Sequence, residues 1–320
     1  MELDDKTLDL LKKLEQKYTK SGQDLNSYLE GLLYSNYLNY WDYIEVDTLL
    51  TLQKARTPIK DELVFIIYHQ ITELYFRLTL HEMEQIAEHA EHIDVNFFIA
   101  RVKRINAYFR NLCSSFEIMV DGMDQQQFLK YRMSLLPASG FQSAQYRMIE
   151  ICATDFINLV DKDYRNKITF KSGIDEQFDH VYWKAGATEL ATGKKTLTLT
   201  QFEEKYSEKL LHLATEYATK NLWVVYTNLP EADQQNAEII EQLRLFDVNV
   251  NVNWPLQHYR SAVKYLQRKP EDIAATGGTN WQKYLPPRFQ KRIFYPKLWS
   301  ELEMDEWGKQ GILDLLNGTR

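Results

Sequence analysis

From Asp61 to about residue 91 the chain runs without a single glycine or proline, and over the whole 320 residues there are only 12 Gly and 8 Pro. So few breakers exclude a fold built on many tight turns and favour long helices. Inside that run, Phe65-Ile66-Ile67-Tyr68-His69-Gln70-Ile71-Thr72-Glu73-Leu74-Tyr75-Phe76-Arg77 sets a histidine and a glutamate into an apolar, aromatic helix. A buried imidazole costs stability unless it is partnered. What His69 faces therefore bears directly on function.

The chain is 44% hydrophobic and 26% charged, the balance of a globular protein with a large core. The 20 Tyr, 15 Phe and 7 Trp read mainly as packing, and less often as a bed for a flat aromatic ligand. A net charge of −7 without a basic stripe argues against a nucleic-acid partner. Two cysteines, Cys113 and Cys152, make neither a disulfide framework nor a structural zinc site. The N-terminus lacks the apolar core of a signal peptide, and no run of 18 apolar residues suggests a membrane span. The expectation is a cytoplasmic protein of one mostly helical domain over residues 1–320.

Helices are expected over residues 4–20, about 61–91, 94–120, 124–136 and 141–160. Lys194-Lys195-Thr196-Leu197-Thr198-Leu199 alternates Thr and Leu, which suggests a small hairpin within 180–200. Thr200-Gln201-Phe202-Glu203 reads as a capping box opening a helix to about 228. One or two further helices run from Asp233 to about Arg268, and an aromatic, proline-containing tail packs on the body.

Four places could carry chemistry. His69 shares a helix face with Phe65 and Glu73. On spacing alone, a core histidine bonded to a buried carboxylate is the plainer reading. Phe128 and Arg132 lie one turn apart, as an aromatic plate beside a guanidinium fork that could hold an amphiphilic acid. The plainer alternative is an arginine lying along a ring. His258, in Trp254-Pro255-Leu256-Gln257-His258, could ligate a metal or a haem iron axially, although a lone histidine seldom does. Thr276-Gly277-Gly278-Thr279 could close over a small ligand, or be only a loop.

Taken in order along the chain, these pieces resemble the tryptophan 2,3-dioxygenase family. The resemblance rests on Tyr40-Trp41-Asp42-Tyr43-Ile44-Glu45-Val46-Asp47, on the Asp61–Arg77 helix and on Phe128 with Arg132. It continues through Ser139-Gly140-Phe141-Gln142-Ser143, Trp254 with His258, and Thr276-Gly277-Gly278-Thr279. It implies an all-α, single-domain haem protein of the tryptophan/indoleamine dioxygenase type, assembled as a homotetramer, a dimer of dimers. The cofactor would be haem b. The reaction would insert both atoms of O2 across the indole C2–C3 bond of L-tryptophan to give N-formyl-L-kynurenine, the first step of the kynurenine pathway.

Carried over residue by residue, His258 matches the axial iron ligand and His69 the distal histidine facing the indole nitrogen. Phe65 and Phe128 match the walls of the indole slot, Arg132 the partner of the substrate carboxylate, and Thr276 the loop residue at its polar end. Tyr40 and Tyr43 match tyrosines supplied by a neighbouring subunit, which the N-terminal 1–50 segment would contact. Ala275 stands where the family has a loop glycine, and the linker from His258 to Thr276 is a few residues longer. That longer linker leaves room for a substituted tryptophan or another aromatic amino acid as substrate.

Overall fold

The computed structural model describes residues 3–35, 39–135, 137–169, 171–188, 193–266 and 285–309. The chain falls into two compact units, Met1–Lys54 and Ala55–Arg320. Among the described residues every regular element is helical; isolated bridges pair Val160 with Val181 and Thr188 with Lys195.

The first unit starts with α1 (Asp5–Lys20) and α2 (Leu25–Leu33). Asp4 and Asp24 cap them, accepting from the backbone N–H groups of Thr7 and Ser27 at 2.7 and 2.9 Å. Stacked Tyr18 and Tyr28, 4.2 Å between ring centres, join the pair. Short turns follow at Tyr40–Tyr43 and Val46–Leu49. No residue in any of these four helices is buried, and Leu33, Tyr40 and Tyr43 are 82%, 72% and 75% exposed. The described residues of this unit enclose no core of their own.

The second unit is organised on α3 (Asp61–Glu88), the uninterrupted helix expected from the sequence. Asp61 and Glu62 occupy its positive end. Glu62 is fully buried and reaches back to accept from Arg56 N (2.8 Å) and Thr57 N (2.7 Å), which fixes how the chain enters. Phe76, Met83 and Ile86 of α3 pack with Phe98, Val102, Ile105 and Phe109 of α4 (Val95–Ser115). Burying a Phe or Leu side chain in such a seam contributes about 1.5–3 kcal/mol. Further along lie α5 (Gln125–Tyr131), α6 (Ala144–Ala153), α7 (Leu197–Tyr217), α8 (Ala237–Val248) and α9 (Trp254–Leu266).

Two local expectations are corrected. The hairpin sought within 180–200 is reduced, among the described residues, to the single Thr188–Lys195 bridge, because Thr196 caps a helix instead of pairing a strand. Its hydroxyl accepts from Leu199 N at 3.2 Å, so α7 starts at Leu197 and the capping box read at Thr200 falls inside the helix. The helix expected from Phe141 to about 160 is interrupted. Regular α structure ends at Ala153, and a single 3-10 turn follows at Phe156–Leu159.

Between α8 and α9 the chain stays helical but widens to π geometry at Asn249–Asn253. A ladder of amides accompanies the extra width. Asn249 donates to Asn106 Oδ1 at 3.1 Å, Asn251 to Asp247 Oδ1 at 2.7 Å, and Asn253 to Asn249 Oδ1 at 3.0 Å. Such bulges re-aim the residues that follow them. Here those residues are Trp254 and His258.

Candidate functional site

A cavity of about 340 Å³ opens in the second unit, between α3, α5, α6, α9 and the segment carrying Arg292. Its size is that of a small-molecule or cofactor site. Both histidines singled out in the sequence line it. On α3, His69 Nδ1 lies 2.7 Å from the Phe65 carbonyl oxygen one turn back. A carbonyl can only accept, so Nδ1 carries the proton and Nε2 keeps its lone pair. On α9, His258 Nδ1 makes the same bond to the Trp254 carbonyl at 3.0 Å, with the same consequence for Nε2. Burial lowers the pKa of His69, against the opposing pull of the Phe65 carbonyl and the Glu73 charge. Burial carries His258 down to about 4; the Trp254 carbonyl opposes this and the nearby His69 adds to it. Two neutral imidazoles thus share one cavity.

The sequence pattern also allowed His69 to be bonded to Glu73. The structure separates them: Glu73 accepts from the Gln145 side chain at 2.8 Å, while His69 bonds to backbone. Aromatic rings enclose His69 and His258. Phe65 sits 4.0 Å from the His69 ring and 6.3 Å from Phe128, and Phe116 and Trp254 lie 4.6 and 4.5 Å from His258. Phe65, Phe128, Phe116 and Trp254 all line the cavity.

The remaining predicted residues are distributed differently. Arg132 starts the 3-10 turn after α5 and is only 4% exposed, but it does not itself line the cavity. Burial lowers its guanidinium pKa. Tyr40 and Tyr43 lie on the exposed turn of the first unit. Thr276, its loop and the part of the linker from residue 267 onwards lie outside the described residues.

One group of cavity residues carried no role in the sequence reading. The Ser139–Ser143 run folds as two caps in tandem. Ser139 accepts from Phe141 N and Gln142 Oε1 accepts from Ser139 N, each at 3.3 Å; Ser143 then caps α6 by accepting from Tyr146 N. That start brings Arg147 of α6 into the cavity wall. Arg147 donates to Glu150 Oε2 at 3.0 Å and to Tyr182 Oη at 2.5 Å. Arg292 donates to Glu150 Oε1 at 2.5 Å, to Tyr146 Oη at 3.1 Å and to Tyr182 Oη. Glu150 is fully buried and the two arginines nearly so. Rings of Phe141, Tyr146, Tyr182 and Trp183 surround the Arg147 guanidinium at 5.3–5.5 Å. Two guanidinium groups share one carboxylate, so this wall has a surplus positive charge. The i,i+3 spacing of Arg147 and Glu150 was the one sequence signal for it; nothing local points to Arg292.

These features test the haem expectation. A neutral imidazole with a free Nε2 is the donor an axial iron site requires, and its Nδ1–H is already held by a carbonyl. Aromatic walls suit a flat macrocycle, and a buried cationic surplus suits its carboxylates. Among the described residues no group of three or more His, Cys, Asp or Glu could hold a bare metal ion. The residues present fit haem.

Fold and cavity together define an all-helical protein with a histidine-bearing pocket. The tryptophan 2,3-dioxygenase family model matches residues 29–228. The tryptophan 2,3-dioxygenase of Anaeromyxobacter dehalogenans (strain 2CP-C) is 34% identical over 264 residues, 82% of this chain and 94% of that protein. The Bacillus thuringiensis subsp. konkukian (strain 97-27) protein of the same name is 25% identical over 272 residues, 82% of this chain and 91% of the other. A shorter match, 35% identical over 113 residues, covers 35% of this chain and 42% of the tryptophan 2,3-dioxygenase of Anaeromyxobacter sp. (strain K). The chain belongs to the tryptophan 2,3-dioxygenase family, a family of oxidoreductases.

Proposed function

We propose that this chain is a haem b enzyme that converts L-tryptophan and O2 to N-formyl-L-kynurenine, both oxygen atoms entering the product, as the first step of cytoplasmic tryptophan catabolism by the kynurenine pathway. The observation that carries this reading is the pair of neutral imidazoles in one aromatic cavity, one bracketed by Phe116 and Trp254 and the other by Phe65.

His258 would hold the iron through Nε2, and Arg147 and Arg292 would meet the propionates. When bound, haem supplies the oxygen chemistry. The chain's part is to bind and orient. Phe65 and Phe128 form an apolar slot for the indole. His69 Nε2 accepts a hydrogen bond from the indole N–H, which is possible because Nδ1 holds the proton. The family resemblance assigns the carboxylate and ammonium to Arg132 and Thr276; Arg132 is buried but does not line the cavity, so it would have to turn towards bound substrate. Holding a reactant in one orientation is worth several kcal/mol of barrier.

Tyr40 and Tyr43 would complete the pocket of a neighbouring subunit in a homotetramer. The support for this is a first unit whose helices bury no side chain and that therefore wants an apolar partner. Among the described residues no helix is long and apolar enough to cross a membrane.

The test is direct. The purified protein is reconstituted with haemin, reduced without oxygen and mixed with L-tryptophan and then O2, while absorbance is followed. Growth of the N-formylkynurenine band is expected. A reduced, haem-loaded protein that leaves tryptophan unchanged would overturn the reading. His258→Ala is expected to abolish the Soret band of the reconstituted protein, whereas Arg132→Leu keeps the band and weakens tryptophan binding.

A further inference from the structure

One buried carboxylate near the cavity has no place in the binding scheme. Asp247, in the last turn of α8, is fully buried and surrounded by donors. Phe294 N donates at 3.0 Å, Tyr295 N at 3.1 Å, Trp299 Nε1 at 3.0 Å and Asn251 Nδ2 at 2.7 Å. Burying a carboxylate that has no cationic partner among the described residues costs stability, which only a full set of donors offsets.

Three of the four donors belong to one segment, the strap from Leu285 to Lys309. Residues 291–295 of the strap lie between helical turns and belong to no helix or strand, so the buried N–H groups of Phe294 and Tyr295 need partners from elsewhere. Asp247 takes the N–H side at Phe294 and Tyr295. Thr154 Oγ1 (2.5 Å) and Asn158 Nδ2 (3.2 Å) donate to the Phe294 carbonyl on the other. Arg292 lies two residues before Phe294, and Leu285, Gln290 and Arg292 of the strap line the cavity. The fourth donor, Asn251, belongs to the π turn that leads to Trp254 and His258. Tyr146, itself a partner of Arg292, donates to the Val250 carbonyl of the same turn at 2.9 Å.

We propose that Asp247 is a positioning residue that latches the C-terminal strap to the π turn, and so sets the placement of Arg292 in the cavity wall relative to the helix bearing His258. It touches neither substrate nor cofactor and acts through Arg292. In its ligand this inference rests on the haem reading; the latch itself does not.

The experiment uses the full chain in two arms. In the apoprotein, hydrogen exchange of the Phe294 and Tyr295 amides is compared between the unsubstituted chain and Asp247→Asn. Selective loss of protection at these amides is expected, and unchanged protection overturns the latch. In the second arm, haemin affinity is measured by Soret titration for the unsubstituted chain, Asp247→Asn, Arg292→Gln and the double variant. Each single substitution is expected to weaken haemin about tenfold, with the double variant no weaker than Arg292→Gln alone, because residues acting through one another are not additive. Independent, additive losses, or an Asp247→Asn protein that binds haemin normally, overturn the coupling.

If Asp247→Asn does not fold, Trp299→Phe removes one donor and keeps the carboxylate. A smaller loss of haemin affinity is expected, one that disappears in the Arg292→Gln background; an equal loss in both backgrounds overturns the proposal. Failure of the unsubstituted chain to bind haemin would count against the haem reading, and the exchange arm would still decide the latch.

Discussion

Two walls of the same cavity are built on different physics. One consists of Phe65, His69 and Phe128, with Tyr131 packed edge-on behind them at 5.9 Å from Phe65 and 5.6 Å from Phe128. Among the described residues, its only side-chain hydrogen bond from a ring is the one from His69 to the Phe65 carbonyl. The other consists of Arg147, Glu150, Tyr182 and Arg292, joined by contacts spanning up to 142 residues of sequence. Ring packing is non-directional and tolerates small changes of shape. A buried ionic network has to be complete, because each unpaired member costs its full desolvation. The aromatic wall can therefore drift in sequence and remain a wall. The charged wall cannot lose a member.

The largest effect expected from this contrast falls on Glu150. Glu150→Gln leaves two buried guanidinium groups without a counter-charge and should destabilise the protein by about 3–5 kcal/mol. Phe128→Leu, nearly volume-conserving on the other wall, should cost about 1 kcal/mol. Urea unfolding followed by circular dichroism measures both. Equal shifts in midpoint would erase the distinction between the walls.

This difference also decides how much was legible in the sequence. The aromatic wall could be read because its signals are local: Phe65, His69 and Glu73 recur at helical spacing, and the breaker-free run gave α3 almost to the residue. His258 was a candidate from the residues too, but a lone helical histidine is more often structural, and only the family resemblance tipped it towards an iron ligand. Where local reading failed, a competing local bond won. Thr196 offered its hydroxyl to a helix start, and that outweighed the Thr-Leu alternation. Glu73, one turn from His69, was claimed by Gln145. The charged wall stayed hidden for another reason. Arg292 and Glu150 meet only through the tertiary path of the strap, and no spacing rule connects them. The π turn was equally silent, because its extra width goes with amide partners as distant as Asn106.

A smaller effect concerns the support behind the charged wall. Burial raises the Asp247 carboxyl pKa to about 6, against the four donors that pull it down. The folded state therefore keeps a proton that the unfolded chain releases near its ordinary value of 3.8. Between these two values unfolding releases a proton, so this group's contribution to stability falls as pH rises through the window and is level above about 6. The Asn variant has no such titration. The stability of the unsubstituted chain relative to Asp247→Asn should thus decline by roughly 1–3 kcal/mol from pH 4 to pH 7. A difference independent of pH would mean that the carboxyl does not titrate in this window.

The smallest effect tests whether the two imidazoles are interchangeable. Both are neutral, and both fix Nδ1–H on a carbonyl one turn back. They differ in what surrounds them: His258 is bracketed by Phe116 and Trp254 and would hold the iron in the proposed site, whereas His69 lies against Phe65, where the indole would sit. His69→Ala should leave the Soret band intact and weaken tryptophan binding by the worth of one neutral hydrogen bond, about 1 kcal/mol or roughly fivefold. Tryptophan titration of the haem-loaded variant reads this directly. If His69→Ala instead loses haem while His258→Ala retains it, the assignment is reversed, and the aromatic wall at Phe65 holds the iron.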